Sequence, residues 1–346
     1  MGILAVIAAL IVLIAVHELG HMLIAKALGV RVTDYSIGFG PALLKKKFGE
    51  TTYAFRPVLL GGYAKMAGMN PDDEEEGPDT YKAKPPWRKA LIIFAGPFAN
   101  LLVTVVILTG LFMTGVTVGA EPEVDRVLPN SLASEVGLQQ GDRFVSVDGE
   151  QVDSWQGFTR IVGEREPGEE VKVVINRDGE RQEFSGPLSS SPDNPEQPLV
   201  GVSPVPIQES YGLIEALGLS LDRTVQITAT LGSFAWDLVT GEVSFYENVS
   251  GPIGVASVGD TLISQGIFFQ AMALVSLNLA LVNLIPILPL DGGHLLLIAA
   301  EKVMGRPVSV ETMGKIAFIG IVLVLTVFVS VGYVDVSKIL SGEPIL

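Results

Sequence analysis

The sequence contains no cysteine among its 346 residues, and it contains only three histidines. Disulfide bonds and thiolate metal sites are therefore excluded, because both need cysteine sulfur. Charged residues make up only 18% of the chain, and the formal net charge is -15. This acidic balance argues against nucleic acid as a partner, since proteins that bind nucleic acid present basic surfaces to the phosphates.

Apolar sequence dominates instead. Hydrophobic residues make up 48% of the chain, and the mean hydropathy of +0.45 is high for a soluble protein. Four apolar segments approach the length of about 20 residues that crosses a hydrocarbon core of about 30 Å. They are predicted as membrane spans at residues 3–25, 91–118, 267–290 and 316–334. The first segment lacks a basic start and a small-residue cleavage site, so we expect a retained span rather than a signal peptide.

The distribution of basic residues predicts the topology. Residues 26–89 contain eleven Lys or Arg, whereas residues 120–216 contain seven against nineteen Asp or Glu. Excess Lys and Arg marks the cytoplasmic side of a membrane. The first loop is therefore predicted to be cytoplasmic, and the middle domain and both termini to lie on the other side of the membrane. The connection at residues 302–315 has three basic residues and is predicted to be cytoplasmic.

The chain divides into four predicted regions. Residues 1–118 and 267–346 are the two halves of a membrane core. Residues 120–206 form a soluble domain, because short β-branched runs alternate there with turn dipeptides such as Asp148-Gly149 and Asp178-Gly179. Residues 207–266 contain an amphipathic helix followed by a connecting segment. The apolar stripe of that helix (Leu213, Leu217, Leu221, Val225, Leu231, Leu238) would lie on the membrane surface, on other spans or on the soluble domain.

Ionisable groups inside the predicted spans are few. His17, Glu18 and His21 lie in the first span, and Asp291 and His294 lie at the end of the third. Such groups are costly in hydrocarbon and are usually functional. The stretch HELGH matches HExxH, which places two imidazoles on one helix face for zinc, with the glutamate beside the metal's water. The alternative is a structural cluster of hydrogen bonds between helices.

A catalytic zinc needs a third protein ligand and an open position. Without cysteine, the candidates are Asp291 and His294. Pro286, Pro289 and the two glycines after Asp291 break the helix and free its carboxylate, which favours Asp291 modestly. His294 would follow nearly one turn later, and the residue types alone leave it open.

These motifs together resemble the site-2 protease family of intramembrane zinc metalloproteases, in its bacterial RseP-type branch. The matching stretches are VHELGH, SIGFGP, LLGGYAKM, FAGPFAN, SGPIG and NLIPILPLDGG, in family order over nearly the whole chain. The resemblance implies that His17, His21 and Asp291 bind Zn2+ and that Glu18 is the general base. His294 would then be a neighbour rather than a ligand.

The resemblance also implies how substrate is held. SIGFGP, with Gly38, Phe39 and Gly40, looks like the family's membrane-associated β-hairpin, whose edge strand pairs with an unwound substrate by β-strand addition. Asn278 and Asn283 match positions near the substrate strand, where an amide would hold backbone or stabilise an oxyanion. The alternative for both is a hydrogen bond between helices.

The middle domain is similar to a PDZ domain, because GLQQGDRFVSVDGEQV carries the pattern GLxxGDxIxxVxG with Phe144 in the aliphatic position. The predicted fold is a polytopic α-helical membrane protein with about four transmembrane helices, a membrane-associated β-hairpin and one inserted extracytoplasmic PDZ-like α+β domain. The PDZ-like domain would bind a peptide or act as a size filter.

The resemblance implies a zinc endopeptidase of a bacterial inner membrane that cuts single-span membrane proteins, such as pre-cut anti-sigma factors or remnant signal peptides, within or near the lipid bilayer. Two other classes compete with it. A metal transporter would need polar groups along the second and fourth spans, which have none that ionise. A non-catalytic scaffold would be expected to have lost Glu18 or a ligand.

Overall fold

The computed structural model describes residues 2–69, 75–191, 194–249 and 251–341. The helices are α1 (Gly2–Ala27), α2 (Pro86–Thr114), α3 (Leu132–Glu135), α4 (Trp155–Gly163), α5 (Leu213–Thr240), α6 (Phe245–Asn248), α7 (Pro252–Ser257), α8 (Gly259–Ser264), α9 (Phe268–Asn283), α10 (Asp291–Met304) and α11 (Val310–Ser341). The strands are β1 (Val32–Phe39), β2 (Leu44–Phe48), β3 (Thr51–Phe55), β4 (Val58–Met66), β5 (Val116–Val127), β6 (Arg143–Val147), β7 (Glu150–Gln151), β8 (Glu170–Arg177), β9 (Glu180–Pro187), β10 (Ser189–Ser190), β11 (Pro198–Leu199) and β12 (Val202–Glu209).

The chain forms two compact units. One comprises Met1–Leu111 with Leu213–Leu346, and the other is Phe112–Gly212. The predicted boundary at residue 206 lies inside β12, and the one near residue 119 lies inside β5. Both differences arise because β5 and β12 pair along their length and so close the second unit.

Three helices in the described part of the chain are long and apolar enough to cross a membrane: α1, α2 and α11. The second predicted span was too long, because α2 ends at Thr114 and the β-branched run that follows Gly115 forms β5. The third predicted span was also wrong in extent. It forms the 16-residue helix α9 and then a non-helical segment, since Pro286 and Pro289 cannot donate to a helix.

The loop after α1 forms a four-stranded sheet with the order β2-β3-β1-β4. The stretch SIGFGP, predicted to be a β-hairpin with an edge strand, instead covers the end of β1, an interior strand that runs parallel to β3 and antiparallel to β4. The antiparallel pair β2–β3 follows it in the chain. The Tyr35 hydroxyl donates to the Ala15 carbonyl oxygen over 2.6 Å and fastens β1 to α1. A buried cluster continues this contact to α2 (Met22, Ala25, Val30, Val32, Met66, Ile92). The sheet is thereby held against the helix that carries HELGH.

Helix α5 has its buried face where small and polar side chains lie. Ala216, Ser220 and Thr224 are buried at helical spacing, and the Thr109 hydroxyl donates to the Ser220 hydroxyl over 3.0 Å. The predicted apolar stripe is exposed over this stretch, including Val225 at 67%. Small residues let helices approach closely in membranes, so packing selects them over the larger apolar side chains.

The second unit is built on a sheet with the order β12-β5-β6-β8-β9, with β7 paired to β6. Its buried core is apolar (Val124, Leu132, Ala133, Leu138, Phe144, Val147, Val152, Phe158, Ile161, Val162, Val171, Val173, Ile175, Leu188, Val200). Asp142 of the GLQQGD motif is buried and accepts from Arg177 Nε and Nη2, both at 2.7 Å. This aspartate therefore supports the fold rather than presenting a binding group.

Phe144→Ala tests the core of the second unit. The Phe144 ring is 2% exposed and stacks on Phe158 at 4.2 Å, so its loss should cost about 3–5 kcal/mol of unfolding free energy in that unit. Urea unfolding of the full chain would be followed by Trp155 fluorescence, in a background where Trp155 is the only tryptophan. Thr159→Ala, at an exposed neighbouring position, is the control and should leave the midpoint unchanged. An equal midpoint for both variants would contradict this packing.

Candidate metal centre

His17 and His21 lie one turn apart on α1 and point the same way. Both are buried, their ring centroids are 4.9 Å apart, and their planes meet at 83°. The two Nε2 atoms approach to 3.3 Å. The HExxH spacing therefore places two imidazole nitrogens at one point, as the sequence predicts.

Asp291 completes the group from another part of the chain. It is the first residue of α10 and follows Leu290, whose backbone is extended. Its Oδ2 atom lies 3.1 Å from His17 Nε2 and 3.3 Å from His21 Nε2, and it is buried with no hydrogen-bond partner among the described residues. A carboxylate oxygen that is buried and unsatisfied in this way is costly unless a cation joins it.

The geometry of these three atoms fits zinc. Ligand atoms at 2.0–2.1 Å from a tetrahedral zinc are separated from one another by about 3.3 Å. The three edges of the triangle are 3.3, 3.1 and 3.3 Å. Three protein ligands leave one tetrahedral position open, which is the arrangement of a catalytic rather than a structural zinc site.

His294 is near this triangle but does not belong to it. In the part of the chain that the structure describes, the residues grouped closely enough to hold an ion are His17, His21 and Asp291. His294 lies on α10 and lines the adjacent cavity. The structure therefore brings the Asp291 carboxylate, and not the His294 imidazole, to the two nitrogens.

Glycines set the distance between the helices at this point. A Cβ atom on Gly96 of α2 would lie 2.2 Å from His21 Nε2, and one on Gly20 of α1 would lie 2.3 Å from the Ala95 carbonyl oxygen. His21 Nδ1 lies 2.8 Å from the Ile92 carbonyl oxygen and donates to it. This hydrogen bond leaves the lone pair on Nε2, where a metal would need it.

Glu18 faces a cavity of about 780 Å³ whose wall includes all three ligand candidates. Ala64 of β4 lines the same cavity, and its backbone lies near the Glu18 carboxylate. A Cβ atom on Gly62 would lie 2.9 Å from Glu18 Cγ, so β4 touches the side chain at close range. The carboxylate is therefore held beside the metal triangle by the sheet.

Only some of the residues predicted to hold substrate line the cavity. Phe39 and Asn283 line the cavity, and Phe39 stacks on Tyr63 at 6.2 Å. Gly38 is buried and Gly40 is exposed, both with positive φ, and neither lines the cavity. Asn278 is exposed on α9 and is also absent from the cavity wall.

Two features of the site were missed in the sequence. The first is β4, whose Gly61–Met66 stretch lines the cavity. β4 is an edge strand of the sheet, whereas β1 is an interior strand. The stretch LLGGYAKM carries it, but strand order cannot be read from sequence. The second is Asn100 of FAGPFAN, which lies 3.3 Å from His17 Nδ1. In the sequence, the feature that could have indicated Asn100 is a single amide side chain in a strongly apolar span.

Comparisons with known proteins find a matching family, similar whole-length proteins and a similar domain structure. The family model of Peptidase family M50 matches residues 5–327. The zinc metalloprotease RasP of Shouchella clausii is 32% identical, over 98% of this chain and 99% of its own. The regulator of sigma-W protease RasP of Bacillus subtilis is 26% identical, over 94% and 96%. Among solved structures, the PDZ domain of the SdrC-like protein Lmo2051 of Listeria monocytogenes matches 25% of this chain and 88% of its own, with 22% identity and a TM-score of 0.23.

Gly96→Ala tests the close crossing beneath His21. The added methyl group would occupy the space of the imidazole, so the ring must move and zinc content should fall, by analogy with ligand-orienting changes that cost about 10–100-fold in affinity. Metal content of the purified protein is the measurement. Gly110→Ala is the matched control on the same helix, because no atom lies within 4 Å of its Cβ position. Full zinc content in Gly96→Ala would contradict the close contact between Gly96 and the His21 ring.

Proposed function

Because this chain belongs to peptidase family M50, the site-2 protease family of zinc metalloproteases, we propose that it cleaves single-span membrane proteins within or beside their span. Substrates of this kind are membrane proteins that have already lost their outer portion, including anti-sigma factors and remnant signal peptides. The Bacillus subtilis relative carries a name that refers to a sigma factor. The proposed role is therefore a step of regulated intramembrane proteolysis.

One observation carries the proposal. Three ligand atoms form a triangle with the edges of a tetrahedral zinc site, and a glutamate adjoins it at a cavity next to apolar helices. A structural cluster of hydrogen bonds would not need the glutamate or the cavity. A transporter would need further polar groups along a path through the membrane.

The residues would divide the chemistry between them. His17, His21 and Asp291 would hold Zn2+, which would polarise the scissile carbonyl and lower the pKa of a water molecule. Glu18 would accept a proton from the attacking water as its oxygen bonds to the carbonyl carbon, and would return that proton to the amine nitrogen as the carbon–nitrogen bond breaks. Strand β4 lies close to the Glu18 side chain at Gly62 and would keep the carboxylate beside the cavity.

Edge strand β4 would present the substrate. A helical substrate hides its carbonyl groups in its own hydrogen bonds, so it must be extended before it is cut. β4 pairs with β1 on one side, and its Gly61–Met66 stretch borders the cavity. An extended substrate backbone adds there as a further strand. The Phe39 ring, which stacks on Tyr63, would then form part of the wall around the substrate. Gly38 and Gly40 shape the end of β1.

Asn283 is the amide placed to act on substrate. Its Nδ2 donates to the Leu279 carbonyl oxygen over 2.9 Å, and its side chain lines the cavity. The second hydrogen of the amide would be available to a substrate carbonyl or to the oxyanion. Asn278 lies outside the cavity wall, so we assign it no comparable role.

The second unit is proposed to be an extracytoplasmic PDZ-like domain that screens substrates. The buried Asp142–Arg177 pair explains the aspartate of its motif as a folding element. The excess of Lys and Arg in the loop that forms the four-stranded sheet supports a cytoplasmic position for that loop and for the nearby metal centre.

Glu18→Gln tests the proposed base. Cleavage of a truncated single-span protein in liposomes should fall by about 10²–10⁴-fold, because a positioned base supplies that factor. Zinc content should match the wild type, since the ligands are untouched. Equal cleavage by both proteins would assign the activity to another residue or to a contaminant.

The topology is tested by single cysteines, which the chain lacks. Lys46→Cys lies on exposed β2, and Gly179→Cys lies in the turn between β8 and β9. A membrane-impermeant maleimide should label Gly179→Cys in spheroplasts and Lys46→Cys only after the membrane is opened. Labelling of both positions from the same side would overturn the proposed topology.

A further inference from the structure

The carboxamide of Asn100 lies beside the His17 ring, on the side that faces away from the three ligand atoms. Asn100 is on α2 and is fully buried. Its Nδ2 atom is 3.3 Å from His17 Nδ1, the ring nitrogen that faces away from the triangle. Its Oδ1 atom is buried and has no hydrogen-bond partner among the described residues.

The state of the His17 ring decides which amide atom must face it. Nε2 of His17 belongs to the triangle, so it needs a lone pair when zinc is bound. A neutral imidazole with that lone pair carries its proton on Nδ1. Nδ1–H needs an acceptor, and the NH2 group of an amide is not one. Amide oxygen and nitrogen are assigned by their contacts, so rotation by half a turn brings Oδ1 to the position of Nδ2.

We propose that Asn100 is a positioning residue whose Oδ1 accepts the Nδ1–H of His17 and thereby fixes the ring with Nε2 toward zinc. This inference rests on the zinc site of the proposed function. It also makes the two histidines unlike each other. His21 is oriented by the Ile92 backbone carbonyl, which no substitution removes, whereas His17 is oriented by a side chain.

The position of Asn100 is itself held by polar contacts between α2 and α9. The Asn100 carbonyl oxygen accepts from the Ser276 hydroxyl at 2.9 Å and from the Thr104 hydroxyl at 3.0 Å. The Ala273 carbonyl oxygen lies 3.2 Å from the same Thr104 hydroxyl and shares its single hydrogen. These contacts use the backbone of Asn100 and leave its carboxamide free to serve His17. They also survive substitution of the side chain.

The test compares the affinity of the full-length protein for zinc, by competition with a chelator, in wild type, Asn100→Leu and Asn100→Asp. Leucine is close in size but accepts no hydrogen bond, so we expect affinity about 10–100-fold weaker, as for other residues that orient metal-bound histidine. Aspartate accepts from Nδ1–H, so it should restore wild-type affinity or exceed it. Thr109→Val is the control for losing a buried hydroxyl of α2 far from His17 and should bind zinc as the wild type does.

Specific results would overturn the inference. Wild-type affinity in Asn100→Leu, equal weakening in Asn100→Leu and Thr109→Val, or equal weakening in the leucine and aspartate variants would each reduce Asn100 to a packing residue. A wild type that binds no zinc would instead overturn the metal site itself.

Discussion

Two imidazoles and a carboxylate meet within 3.3 Å inside a group of apolar helices, and the rest of the structure depends on this approach. Each group alone would be costly to bury, because hydrocarbon offers no hydrogen bonds. Together they form a site whose edges suit one zinc ion. The glycines at positions 20 and 96 let α1 and α2 come close enough for this, and the break before α10 brings the carboxylate to the same point.

The sheet makes the metal centre into a site that can act on a peptide. β4 contributes a backbone contact to Glu18 and one wall of the cavity. Because it is an edge strand, its outer hydrogen-bonding groups remain open to an extended chain. The same element would therefore align the base and the substrate, which links the geometry of proton transfer to that of substrate binding. The hydrogen bond from Tyr35 of β1 to Ala15 of α1 fixes the sheet on the helix that carries Glu18, so the base and the substrate strand would keep their relative positions.

Hydropathy predicted the membrane helices well at their centres and poorly at their ends. A run of β-branched residues after Gly115 is as apolar as the helix before it, and only pairing with β12 shows that it is a strand. The third segment reads as one apolar stretch, yet its prolines limit the helix to 16 residues. The stripe of α5 shows a related limit: periodicity found an apolar face, whereas the packed face is the one with small side chains.

The sequence by itself determined the HExxH pair, because helical geometry places residues four apart on one face whatever surrounds them. It also determined the absence of thiolate ligands and the membrane class of the protein. The local Pro and Gly pattern favoured Asp291 over His294 only modestly, and the tertiary structure brings the Asp291 carboxylate to the imidazoles because its direction depends on where α10 begins. The tertiary structure alone placed β4 at a sheet edge and Asn100 beside His17. Contacts between residues distant in sequence decide these last two features, and no local pattern encodes them.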